Sequence, residues 1–395
     1  MENRDSFTEV TTEGWGSRIM GSIKSILFGI VLFIVAFVVL WLNEERAVDT
    51  AKGLTEGASQ VISINSQEFR NENSGKLVHI TGNILSKETL KDEEFNVNVN
   101  ALKLQRKVEM YQWIEKKDQE KEKELGGSEK TTTVYNYVKE WEESIIKSND
   151  FKHTEGHSNP TSFPYSEYTQ TVSKASMGEF NISSYLLASM NSYVPFSINS
   201  VDSIKYPNAR ITNEGNANIG TNTNLIKKIF IGKGSSSSPQ VGDVKVWFEI
   251  VKSGDEYSII SQQIGNTFEP YSTSTGTSIQ IISKGIQSAE SMFNAAQKSN
   301  TIVTWLLKLL GFLLLFAGLS LIVKPLVVLA DVVPFLGTIL NFGLSLFTGL
   351  LSFALSFITI AIAWIVFRPI LGISLLAIGI GIALFFFIRK PKNKM

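Results

Sequence analysis

The chain of 395 residues contains no cysteine and three histidines. Without cysteine it has no disulfides, no thiolate nucleophile and no cysteine-ligated zinc. Basic and acidic residues balance at 37 each, so the formal net charge is zero and the sequence lacks the basic excess typical of nucleic-acid binders. We therefore predict no nucleic-acid partner.

Recognisable catalytic motifs are also scarce. The Gly-Lys-Gly-Ser fragment at 232–235 lacks the strand, loop and helix pattern of a phosphate loop, and no GxSxG elbow marks a serine nucleophile. His153 and His157 have the spacing of two zinc ligands on a helix, but Gly156 and the turn at 158–160 disfavour a helix there. We predict a protein that is not an enzyme and has no cofactor, with a metal-dependent enzyme centred on this histidine pair as a weaker hypothesis.

Long apolar runs are what the chain has in abundance. The first, at 23–42, has about the 20 residues with which a helix crosses hydrocarbon, and Trp41 near its end is typical of the membrane interface. The run is longer than a signal-peptide core and lacks a small-residue cleavage site, so we predict an uncleaved span. Three further runs, bounded by prolines and charges, predict transmembrane helices at 302–323, 337–367 and 370–388.

Four spans place both termini on one side of the membrane. Arg18 and Lys24 flank the first span, and the tail 389–395 is basic, so the positive-inside rule makes that side cytoplasmic. We therefore predict a cytoplasmic N-terminal tail at 1–22. The region 43–301 then lies outside, in the lumen of a eukaryote or the periplasm of a bacterium.

The predicted fold class is α+β, with a large β-rich region between spans one and two. Apolar residues at helical spacing predict helical stalks at 47–61 and 283–301, which would hold this region close to the bilayer. Runs rich in β-branched residues predict strands at 76–84, 241–251 and 257–265.

The clearest local feature of this region is a long hairpin. Side chains alternate over 104–114 and 131–141, and Leu125-Gly126-Gly127-Ser128 supplies the turn. The charged residues 115–124 are interpreted as a solvated arm, with a helix as the alternative.

Polar residues within the C-terminal apolar block are the candidates for function, because a charge at membrane depth costs about 3 kcal/mol or more. We select Asp331, Asn341, Trp364 and Arg368 as possible membrane-pathway or interface residues. The simpler interpretation places the charges near an interface, with Lys308 snorkelling outward, Asp331 in an inner loop and Arg368 in an outer turn.

Several motifs occur in the order and spacing of one known family. They are Asn43-Glu44-Glu45-Arg46-Ala47, KLVHI at 76–80, VEMYQW at 108–113, GHSNP at 156–160, VGDVKV at 241–246, and Trp364 followed by Phe367-Arg368-Pro369. The chain thereby resembles the LUMA (transmembrane protein 43) family. The resemblance covers nearly the whole chain, and the family's one-plus-three arrangement of spans agrees with the apolar runs.

The resemblance implies residence in the endoplasmic reticulum and inner nuclear membrane of an animal host, self-association, contacts with emerin and lamins, and a role in organising that membrane. A bacterial host has no lamins, and the chain is then expected in the cytoplasmic membrane with a periplasmic domain. The family offers no catalytic residue. We predict a scaffold for membrane lipids and proteins that forms a homo-oligomer; the alternative is an ion-conducting or channel-modulating assembly of spans two to four.

Overall fold

The computed structural model describes residues 5–219, 222–374 and 377–378. Its α-helices are α1 (Trp15–Gln60), α2 (Ser184–Ser189), α3 (Ala289–Ala330) and α4 (Pro334–Phe367). In chain order its strands are β1 (Asp5–Glu13), β2 (Ile62–Asn65), β3 (Leu77–Leu85), β4 (Leu90–Asp92), β5 (Val97–Val99), β6 (Ala101–Lys123), β7 (Glu129–Glu142), β8 (Tyr168–Thr171), β9 (Ser176–Met177), β10 (Phe180–Asn181), β11 (Val194–Phe196), β12 (Ala209–Ile219), β13 (Asn222–Ile231), β14 (Val244–Lys252), β15 (Glu256–Ile264), β16 (Thr267–Glu269), β17 (Tyr271–Ser272), β18 (Ser278–Ile279) and β19 (Ile281–Lys284).

Two large sheets form the β region. The first has the order β1-β7-β6-β14-β13-β12, with β8 beside β6 and β11 beside β14. The second has the order β10-β9-β3-β15-β16, with β19 beside β15 and β2 parallel to β3. Buried side chains from both sheets, including Ile80, Val108, Phe248 and Ile259, form one apolar core. The three predicted strands are confirmed as β3, β14 and β15.

The predicted hairpin is also confirmed, and it is longer than its alternating segments. The strands β6 and β7 pair from Met110 opposite Glu142 to Lys123 opposite Glu129. The charged run 115–124 continues β6 as far as Lys123 and does not form a helix, because each residue from Glu115 to Lys123 has a partner on β7. We call residues 110–142 the hairpin arm.

The N-terminal segment is part of this arm. The strand β1 pairs with β7 over nine residues, from Asp5 opposite Tyr137 to Glu13 opposite Glu129. The predicted N-terminal tail therefore contributes a third, edge strand to the arm, and α1 begins two residues after that strand ends.

Three helices are long and apolar enough to cross a membrane: α1, α3 and α4. They contain the predicted spans one, two and three, and α1 runs on without a break to Gln60, as the predicted first stalk requires. The second stalk begins at Ala289, later than predicted, because 281–284 form β19. Residues 370–374 and 377–378 of the predicted fourth span are helical. The rest of that span and the basic tail lie outside the described residues.

Lys324 and Pro325 follow the predicted second span and are expected to end its helix. This prediction is wrong, since α3 continues through Pro325 to Ala330. Proline has no N–H for the carbonyl oxygen four residues earlier, that of Leu321. The hydroxyl of Ser25 on α1 lies 3.4 Å from that oxygen, although its shorter hydrogen bond goes to the Ser22 carbonyl oxygen at 2.6 Å. A polar group of a neighbouring helix thus lies beside the carbonyl oxygen that Pro325 leaves without its usual donor, as is common where transmembrane helices tolerate proline.

The helices α1 and α3 pack antiparallel along their length. A Cβ on Gly29 would lie 2.8 Å from the Gly318 carbonyl oxygen, and one on Gly311 would lie 2.5 Å from Leu40. At the other end of α1, a Cβ on Gly57 would lie 2.4 Å from Ile279 of the β region. Small residues therefore let the apolar bundle join the β region without a flexible linker.

The hairpin arm reaches the opposite end of the bundle. The amide of Gly126 donates to the Val332 carbonyl oxygen at 3.1 Å, in the turn between α3 and α4. From Met110 to Lys123 the arm is about 43 Å long at about 3.3 Å per residue, more than the roughly 30 Å of a hydrocarbon core. The arm belongs to region 43–301, which is predicted to lie outside, and its tip contacts the turn that contains Asp331, which is predicted to lie on the cytoplasmic side.

Candidate functional site

A buried ion cluster joins the arm, α1 and the α3–α4 turn. The carboxylate of Asp331, which is 0% exposed, accepts from Arg18 Nη2 and from Lys123 Nζ, each at 2.6 Å. Glu129 lies 3.4 Å from the same guanidinium. We call Arg18, Lys123, Glu129 and Asp331 the turn cluster. Two cations and two carboxylates balance, which burial of charge requires.

Glycines make this close approach possible. Gly127 has a φ of +83°, and a Cβ there would lie 2.3 Å from the Trp15 ring. The ring's Nε1 donates to the Val328 carbonyl oxygen at 2.9 Å, and Arg18 donates to the Gly127 carbonyl oxygen at 2.5 Å. The Gly126-Gly127 pair therefore forms the turn of the hairpin and also allows the tip of the hairpin to pack against the helices.

Two of the predicted candidates border one cavity. Asp331 and Asn341 both line a space of about 350 Å³ beside the turn cluster. Further along α4, towards its C-terminal end, buried serine and threonine side chains follow one face of the helix. They are Thr348, Ser352, Ser356 and Thr359. Each hydroxyl donates to a carbonyl oxygen three or four residues earlier on α4, so the row is hydrogen-bonded within its own helix.

A second polar cluster lies where α1 passes from its apolar segment into the stalk. Glu44 is 0% exposed, and one of its carboxylate oxygens accepts from Trp364 Nε1 at 2.8 Å. The Lys308 ammonium forms an ion pair with the other at 2.7 Å. That ammonium also lies over the rings of Trp305 and Trp364, 5.0 and 5.3 Å from their centres. This group ties together α1, α3 and α4.

The rest of this second cluster involves amides and Arg46. The Arg46 guanidinium donates to Asn300 and to the Thr304 hydroxyl, each at 3.0 Å. Asn43 donates to the Thr304 carbonyl oxygen, and Asn300 donates to that of Ala47. We call Asn43, Glu44, Arg46, Asn300, Thr304, Lys308 and Trp364 the stalk cluster.

The stalk cluster corrects one prediction and explains one motif. Lys308 does not snorkel outward; it turns inward because Glu44 offers a buried counter-charge. Glu44 was missed as a candidate, although the sequence carried a signal. In an antiparallel pair, an acid just after span one and a base early in span two meet at the same depth.

Arg368 stands apart from both clusters. It caps α4 and is half-buried, and no acceptor among the described residues bonds its buried Nε. It lines a groove with Lys52 of the stalk. The structure thus brings Asp331 and Asn341 together at one end of α4, and places Trp364 and Arg368 in different environments at the other.

The histidine pair has a structural setting. His157 is 1% exposed and stacks on Tyr137, with ring centres 3.9 Å apart. Its Nδ1 lies 2.9 Å from the His153 carbonyl oxygen and its Nε2 lies 2.8 Å from the Asp5 carboxylate. Both His157 nitrogens thus face acceptors, and because Asp5 belongs to β1, the ring holds β1 on the arm. Burial and the hydrogen bond to Glu115 raise the pKa of Tyr137, on which His157 stacks, to about 12.

No three histidine, cysteine or acidic side chains gather as metal ligands within residues 5–219, 222–374 and 377–378. The ring of His153 stacks on Phe7 of β1, 5.8 Å between centres. The two histidines thus contact β1 at different points, and no third ligand among the described residues completes a site with them.

Comparison with known proteins identifies the family. Residues 110–369 match the family model described as Transmembrane protein 43. The chain belongs to the transmembrane protein 43 family. It is 31% identical to Transmembrane protein 43 of Rattus norvegicus, covering 93% of this chain and 91% of that protein. For the Homo sapiens protein the identity is 30%, covering 97% and 94%.

The likeness extends to insects. The Transmembrane protein 43 homolog of Drosophila melanogaster is 28% identical over 89% of this chain and 91% of that protein. No solved structure matches the chain. The resemblance drawn from the motifs is therefore confirmed, and the chain is a membrane protein of the transmembrane protein 43 family with several apolar helices.

Proposed function

We propose that this chain is a non-enzymatic membrane scaffold that works as an assembly of several copies. The observation that carries the proposal is the hairpin arm. It is highly charged, with Glu115-Lys116-Lys117-Asp118 in succession, and it runs from the β region to the far end of the apolar helices. Each charge exposed to hydrocarbon costs about 3 kcal/mol or more. Copies arranged around the arm side would keep lipid away from it.

The outer face of α4 offers a contact for such copies. A Cβ on Gly343 would meet nothing within 4 Å, whereas Gly29, Gly311 and Gly318 are used by packing within the chain. Glycines in transmembrane helices let a second helix approach closely. Gly343 is therefore available to a neighbouring copy.

The test uses two copies of the full chain with different affinity tags, expressed together and purified in a mild detergent. The wild-type copies are expected to purify together. Gly343→Leu should lower the recovered partner several-fold, because a bulky side chain blocks close approach. Gly21→Leu is the matched control, since a Cβ on Gly21 also meets nothing within 4 Å. Equal recovery for both variants would contradict the α4 contact, and recovery of single copies alone would contradict the scaffold.

The compartment and partners follow from the family resemblance. In an animal host we propose the endoplasmic reticulum and inner nuclear membrane, with emerin- and lamin-like partners. Fractionation of that membrane followed by cross-linking tests this directly. Recovery of the chain in another membrane without these partners would overturn it.

Ion conduction is a second candidate, favoured by the cavity beside Asp331 and Asn341 and by the hydroxyl row of α4. It predicts ion flux in proteoliposomes above that of empty vesicles, and a change in that flux with Asp331→Ala. Inserted, folded protein without flux would remove this candidate and leave the scaffold.

A further inference from the structure

The groove that contains Arg368 lies close to the stalk cluster, at the same end of α4. It has a volume of about 800 Å³, within the range of small-molecule sites, and lies between the α1 stalk and the end of α4. Its apolar walls include Val48, Phe367 and Leu371, and none of the described residues that line it is acidic. Its two charges are those of Lys52 and Arg368.

These two cations differ from those of the turn cluster and the stalk cluster. Arg18, Arg46 and Lys308 each bond a protein acceptor. Within the described part of the chain, neither Lys52 nor Arg368 forms an ion pair, and the buried Nε of Arg368 has no acceptor. A guanidinium presents its donors in a planar fork that suits a phosphate, and an ammonium adds a second positive charge.

The depth of the groove fits a lipid headgroup. Trp41 contacts Phe367 at 5.4 Å between ring centres, beside Arg368. Tryptophan is enriched where the bilayer meets water, so the groove lies at the headgroup level.

A second, apolar groove continues along the same pair of helices. It has a volume of about 430 Å³ and is lined by residues that include Phe37, Trp41 and Leu42 of α1 and Ile362 of α4. On α4, Ile362 lies about two turns deeper than Arg368, and on α1, Leu42 lies about three turns deeper than Lys52. An acyl chain would extend in this direction from a headgroup held at the two basic side chains.

We propose that this seam between α1 and α4 binds an anionic phospholipid. Its phosphate sits between Arg368 and Lys52, and one acyl chain lies in the apolar groove beside Trp41. The inference needs the helices to be in a membrane and does not depend on self-association. Binding is read from the mass of a single copy, so it can fail or succeed independently of the scaffold.

The experiment is native mass spectrometry of the full chain in detergent, titrated with phosphatidylserine or with phosphatidylcholine. The wild-type chain should retain phosphatidylserine in preference to phosphatidylcholine. The double variant Lys52→Gln with Arg368→Gln should bind phosphatidylserine about tenfold or more weakly, because two basic side chains at a membrane surface are lost.

The matched control is Arg70→Gln with Lys121→Gln, which removes the same two charges from exposed positions of the β region and arm. It should bind phosphatidylserine as the wild type does, with the same melting temperature. Equal binding of both lipids, or undiminished binding by the Lys52 and Arg368 variant, would overturn the proposal. A disulfide formed in the double variant Lys52→Cys with Ala383→Cys would also overturn the proposal. It would show that the chain's own predicted fourth span occupies the groove.

Discussion

Replacing Asp331 by asparagine should release the tip of the hairpin arm from the helices. The change removes the shared counter-charge of Arg18 and Lys123, whose side chains are 8% and 26% exposed. Breaking a buried ion pair by removing one partner costs about 3 to 5 kcal/mol. We expect the lower end, about 3 kcal/mol, because Lys123 can turn to water and Glu129 still faces Arg18.

The assay is limited trypsin cleavage of the purified chain in detergent, read at the lysines of the arm tip. If docking weakens by about 3 kcal/mol, the undocked population and the cleavage rate rise roughly a hundredfold. Lys116→Gln is the control, since its partner Glu140 and Lys116 itself are about half exposed and such pairs contribute about 0 to 1 kcal/mol. Cleavage of Asp331→Asn within about twofold of that control would refute the reasoning.

Three further predictions concern other contacts. Glu44→Gln leaves Lys308 without its counter-charge and should lower the unfolding free energy by about 3 kcal/mol, seen as a lower melting temperature in detergent. An unchanged melting temperature would show that the stalk cluster does not stabilise the packing of the three helices. Burial lowers the pKa of His79, so stability should be full above about pH 6.5 and fall as pH drops towards the lowered pKa; His79→Gln should flatten this dependence in denaturant titrations. Gly127→Ala places a Cβ against Trp15 at a positive φ and should raise tip cleavage as Asp331→Asn does, while unchanged cleavage would show that the ring can move aside.

The sequence predicts those features whose causes are local. Long apolar runs specify the membrane helices, and alternating side chains around Gly126-Gly127 specify the hairpin and its turn. The stalk of α1 follows from helical spacing alone. In each case the residues that decide the structure are neighbours along the chain.

Features that depend on remote partners could not be read in this way. The ion pair of Lys123 with Asp331 joins residues 208 positions apart, and neither residue carries a local sign of the other. The strand β1 has a mixed polar sequence and becomes a strand because β7 offers it an edge. At Pro325 the missing donor is visible in the sequence, while the hydroxyl of Ser25 beside the Leu321 carbonyl oxygen is visible only once α1 and α3 are packed.

The most direct test of the scaffold is the side of the membrane from which the arm tip can be labelled. The chain has no cysteine, so single cysteines at Leu125, Phe335 and Ser236 can each be labelled in sealed vesicles without background. Leu125 and Phe335 are 85% and 71% exposed. A charged arm that passes the apolar helices within an assembly predicts that Leu125 and Phe335 label from one side and Ser236 from the other. Labelling of Leu125 with Ser236, on the side opposite Phe335, would show that the arm stays with the β region and would contradict the account.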